Sequence, residues 1–211
     1  MIDEAAGHLR SGATETLNVW YYMARGRLHL ARADPAKALE DFLHAGKLLE
    51  DRNFLNPNYL LVPWRSQAAL AAHSLGKGGQ YAQQLVADDI ELAQSFVINN
   101  ALGAALRVKA LVSSSQVDIP ALQQSLSALS APNTSSLERA RTLVELGGAV
   151  LRRKGSRKDS REPLREALDL AHMSGAIDVE SRARAELLAS GARPRRTALS
   201  GAAVVWFSET G

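Results

Sequence analysis

The chain has 211 residues, of which 46% are hydrophobic but only 5% aromatic, so its core must rest on Leu and Ala, which suits close-packed helices better than sheets. It contains no cysteine, which excludes a disulfide framework and a thiolate metal site and points to a reducing, cytoplasmic setting. The net charge of +3 is too mild to imply nucleic acid by itself, the start MIDEAAGHLR has acidic residues where a signal peptide wants basic ones and no apolar run after it, and no apolar run approaches a membrane span.

Residues 1–13 read as a loose lead-in. The first clear helix is expected over 14–33, with Leu17, Trp20, Tyr21, Ala24, Leu28 and Ala31 on one side. Asp34-Pro35 restarts the chain, Asp34 as a cap and Pro35 in the first turn of a helix carrying Ala38, Phe42 and Ala45. Asn56-Pro57-Asn58 marks a turn. A helix over 62–75 follows, ended by Gly76, and its partner over 80–96 uses Ala82, Leu85 and Val86. A weaker pair spans 97–131, with Asp118 capping a helix that holds Ala121, Leu122, Leu126 and Leu129. After Ala131-Pro132-Asn133, Ser135 and Glu138 have capping-box spacing for the next helix. Asp178 is expected to cap a last helix over 179–190, closed by Gly191.

The stretch from Val144 to Ala176 holds two short amphipathic helices, stopped by Gly155 and Gly175, neither of which can bury its stripe alone. Its pattern of Leu146, Gly147, Gly148 and Leu151, then Ser160, Leu164 and Ala167, resembles the tetratricopeptide repeat. The first small residues of successive second helices are Ala38, Ala82, Ala121 and Ser160, at spacings of 82−38 = 44, 121−82 = 39 and 160−121 = 39. Unrelated helix pairs have no reason to keep step in this way. The fold expected is therefore all-α, a tetratricopeptide-like right-handed solenoid of antiparallel helix pairs. About four and a half repeats would occupy 14–191, with 192–211 as a basic linker and apolar tail.

Together with Arg25 to Gly46, Val62 to Gly76 and Glu180 to Arg196, the same stretch is similar to the repeat region of the large ATP-binding LuxR-type (LAL or MalT-like) transcriptional regulators. That resemblance implies a sensing and protein-contact segment, lying in those regulators between an ATPase and a helix-turn-helix. Neither flanking module is expected in residues 1–211: no G-x4-G-K-[ST] loop occurs, and Ala202 to Gly211, after Ala198-Leu199-Ser200-Gly201, are too few to form a helix-turn-helix.

Catalytic and metal constellations are likewise not evident. His29 and His73 stand at the same slot, nine residues before Ala38 and Ala82, and are expected to pack between paired helices. Asp88, Asp89 and Glu91 lack the alternating ligands of a calcium loop and read as a solvated face. No His pair has the H-E-x-x-H spacing of a zinc helix.

The function expected is thus non-catalytic, without cofactor or metal: binding of a peptide, protein or small effector on a concave face, with no membrane partner. The alternative is a nucleic-acid-binding remnant that uses the Arg-rich clusters at 152–165 and 193–196, with Arg152, Arg153, Arg193, Arg195 and Arg196 as contacts. Sequence-specific DNA binding is not expected of either reading. The apolar run from Ala202 to Phe207 is expected to dock on the open end of the array or to pair two chains as a homodimer.

Overall fold

A computed structural model describes residues 15–50, 62–77, 79–113, 116–153 and 157–192. Among these residues the chain is entirely helical, with α1 at Glu15–Ala31, α2 at Pro35–Glu50, α3 at Trp64–Ser74, α4 at Gly79–Ser95, α5 at Asn99–Leu111, α6 at Ile119–Ala128, α7 at Ser136–Arg152, α8 at Arg161–Met173 and α9 at Ile177–Ala189. The turns follow the expected chemistry. Asp34 Oδ1 accepts the Lys37 amide at the start of α2, and Asp118 Oδ1 accepts the Ala121 amide in α6, each satisfying a donor that the helix itself cannot. Gly76, Gly175 and Gly191 all have positive φ, at 69°, 65° and 76°, the left-handed conformation that a helix C-terminus favours and that glycine adopts without strain.

The chain divides into two compact units, Met1–Glu138 and Arg139–Gly211. In the first, consecutive helices pack on one another from α1 through α6. Alternate helices also touch: α1 meets α3 and α3 meets α5, and Arg107 of α5 donates to Glu138 in the first turn of α7 at 2.8 Å. One core cluster runs through these pairs from Val19 to Val112, with Met23, Phe42, Trp64 and Val86 along the way.

In the second unit α8 packs on α9, and Arg139 of α7 pairs with Glu166 of α8 at 2.7 Å. The alternate helices α7 and α9 are linked twice, by Glu145–Arg182 at 2.8 Å and Arg152–Glu186 at 3.4 Å. The internal face of α8 is Leu164, Ala167, Leu168 and Ala171, as its spacing predicts.

Small residues set how closely the pairs approach. The four at the repeat slots are all buried: Ala38, Ala82 and Ser160 at 0% exposure and Ala121 at 2%. A Cβ added to Gly26 would lie 2.6 Å from the Phe42 ring, and one on Gly147 would run into Leu164. In both places the backbone of one helix takes the bulky side chain of its partner directly, which explains a glycine where helix propensity disfavours it.

Several sequence expectations are corrected. The stripe expected on α1 is not its inner face: Leu17 and Trp20 are 55% and 49% exposed, whereas Val19 and Met23 are buried. Apolar residues surround α1, so periodicity alone does not fix its phase; the approach of Phe42 to Gly26 does. His73 is exposed rather than packed. Asp178 lies inside the first turn of α9, whose cap position is Ala176; there it complements the helix dipole instead of capping. Ser160 immediately precedes α8 rather than belonging to it. Gly155, the lead-in, the turn at 56–58 and the tail from 193 onward lie outside the described residues.

Candidate functional site

Two charged clusters and one groove stand out, all within the first unit. The first cluster joins α1 and α2. Arg25 clasps the buried carboxylate of Asp41, its Nε donating to Oδ2 at 2.9 Å and its Nη2 to Oδ1 at 2.5 Å, and Nη1 donates to the Tyr21 hydroxyl at 2.9 Å. The guanidinium also lies 5.0 and 5.1 Å from the ring centres of Tyr21 and Tyr22, within cation–π range. The His44 ring lies against Tyr22, tilted by 46° with ring centres 4.2 Å apart. The Asp41 bond holds Arg25 still further above its ordinary pKa. Asp41 is 4% exposed, so its charge needs this two-pronged partner. The cluster is built to lock α1 on α2.

The second cluster corrects the expectation that Asp88, Asp89 and Glu91 form a solvated face. Asp88 and Glu91 are exposed, but Asp89 is buried. Its Oδ2 accepts the Ser66 backbone amide at 2.9 Å and the Ser66 hydroxyl at 2.6 Å. Ser66 lies in the first turn of α3, whose own cap residue, Pro63, makes no side-chain cap bond. An aspartate of α4 thus caps a neighbouring helix from outside. Burial pushes the Asp89 carboxyl above the usual range, with the Ser66 bonds opposing. A signal was present in the sequence: at the spacing of 44, Asp89 takes the slot of Ala45, where an acid has no place without a specific partner.

The groove measures about 490 Å³. Its floor is Val86, Ala87 and Ile90 of α4 with Val112 after α5; its rim carries Gln83, Glu91, Gln94, Lys109, Ser113 and Asp118. This size lies in the range of small-ligand sites, and an apolar floor with a few polar groups is their usual composition. Ser113 Oγ donates to the carbonyls of Ala110 and Gln116, and Asp118 is held by its capping bond. None of the described residues hydrogen-bonds to or pairs with the heads of Gln83, Glu91, Gln94 or Lys109. The groove follows α4 and the C-terminal end of α5.

The predicted basic contacts are only partly brought together. Arg152 and Arg153 are exposed at the end of α7, and Arg152 reaches Glu186. Arg161 donates to the Ser190 carbonyl at the end of α9 at 2.8 Å, where a cation suits the dipole. Arg193, Arg195 and Arg196 lie outside the described residues.

Comparison with protein-family models, with curated proteins and with solved structures gives no match. Among the described residues no group of three or more His, Cys, Asp or Glu could hold a metal ion, and no helix is long and apolar enough to cross a membrane.

Proposed function

We propose that the chain is a non-catalytic binding module built from stacked, tetratricopeptide-like helix pairs, which takes a peptide, a protein or a small effector. The observation that carries this reading is the contact between alternate helices: α1 with α3, α3 with α5, and α7 with α9 through Glu145–Arg182 and Arg152–Glu186. A helix that touches both its successor and the next helix but one belongs to a row of like helices, and such rows present extended binding faces. The resemblance of Val144 to Ala176 to the repeat region of LuxR-type regulators supports assigning the module to a cytoplasmic regulator of that kind.

The test has two arms on the same preparation. Thermal midpoints are measured against a panel of peptides and small effectors, and fluorescence anisotropy with labelled duplex DNA is measured at low and physiological salt. A raised midpoint with a peptide or effector, together with DNA binding that vanishes at physiological salt, is the expected result. Tight, sequence-selective DNA binding at physiological salt would overturn the reading in favour of a nucleic-acid function.

A further inference from the structure

We propose that the groove along α4 is a site for a short zwitterionic apolar ligand, of the chemical class of a di- or tripeptide with free termini. The inference deepens the binding-module reading and rests on it. The apolar lining and the four polar heads without a partner among the described residues each have a complement in such a molecule. Ala87 and Ile90, backed by the buried Val86 and Val112, offer apolar surface that gains by being covered with apolar side chains. The carboxylate of Glu91 and the ammonium of Lys109 face one groove with no partner among the described residues, a pairing that a ligand with one charge of each sign satisfies completely. Gln83 and Gln94 carry amides that both donate and accept, as a peptide backbone does.

Size agrees with this chemistry. Gln83 and Glu91 are 91−83 = 8 residues apart on α4, about 12 Å at the helical rise. Three extended residues span about 10 Å, so a tripeptide fills the strip without overhanging it. A purely apolar ligand would leave two charges and two amides covered but unanswered, at a cost in affinity. A ligand of one sign would leave Glu91 or Lys109 opposite nothing.

Trileucine with free termini is the probe, titrated into the full chain by calorimetry and by amide chemical-shift mapping. Three variants at exposed positions, Lys109→Gln, Glu91→Gln and Ala87→Trp, leave the core intact, which an unchanged thermal midpoint verifies. Ala87→Trp fills the groove and should abolish binding. Lys109→Gln should weaken free trileucine about tenfold, the equivalent of about 1.4 kcal/mol, while leaving its C-terminal amide unaffected. Glu91→Gln should weaken the free peptide similarly but leave the N-acetylated form unaffected. Absence of binding, shifts that map elsewhere, or binding indifferent to Ala87→Trp would overturn the proposal. That failure leaves the broader reading standing, because the DNA and effector-panel arms make no use of the groove.

Discussion

Asp89 on α4 accepts both the backbone amide and the hydroxyl of Ser66 in the first turn of α3. A single buried carboxylate thereby does for α3 what its own cap residue, Pro63, does not, and ties two consecutive helices together by a polar bond as well as by packing. Asp89→Ala strips the partner from a buried amide and hydroxyl and should cost about 1–3 kcal/mol. Asp89→Asn keeps one acceptor oxygen and should cost less. Chemical denaturation of the three proteins tests the order; equal stabilities would remove the cross-helix cap from the account.

The same group sets a pH dependence. Burial raises the folded carboxyl above its ordinary value, so over that interval the native chain holds a proton that the unfolded chain has lost. The contribution of Asp89 is then greatest at low pH and declines as pH rises through the folded value. Relative to Asp89→Asn, which has no such step, the wild-type chain should lose stability from the carboxylate range upward. A difference that grows with pH would show that the Ser66 bonds outweigh burial.

Val97 has φ of 55° at the end of α4 and is 79% exposed. A β-branched residue is strained there, and three other helices of this chain end with glycine in that conformation. Val97→Gly should therefore stabilise the fold by about 1 kcal/mol. The check is a thermal midpoint; a fall would mean that the valine side chain contributes more than its strain costs.

Gly147→Ala tests close packing in the second unit. Helix propensity alone favours alanine by about 1 kcal/mol, but the added methyl collides with buried Leu164. A net loss of about 1–3 kcal/mol is expected from overpacking. Stabilisation would show that α7 and α8 can separate freely.

The parts of the fold legible in the sequence were those written in local chemistry. Asp34, Asp118, Gly76, Gly175 and Gly191 announce helix ends through backbone needs that few residues meet, and the repeat slots at Ala38, Ala82 and Ala121 announce close contacts by size. The parts that were not legible depend on distant partners. The phase of α1 is decided by Phe42, sixteen residues on from Gly26 (42−26 = 16), and the burial of Asp89 by Ser66 on another helix. The groove is the space left between elements, and no local pattern encodes it. His73 shares its slot with His29, yet among the described residues it is His29 that has an aspartate near it, Asp41 at 3.8 Å.

The stacking of like helices is tested most directly by proximity, and the absence of cysteine makes the experiment clean. Glu145 and Arg182, from α7 and α9, are in contact at 2.8 Å although a whole helix, α8, intervenes in sequence. The double variant Glu145→Cys, Arg182→Cys should be cross-linked by a short bifunctional thiol reagent far faster in the native chain than in urea. Equal rates in the two states would contradict the row of alternate helices on which the account rests.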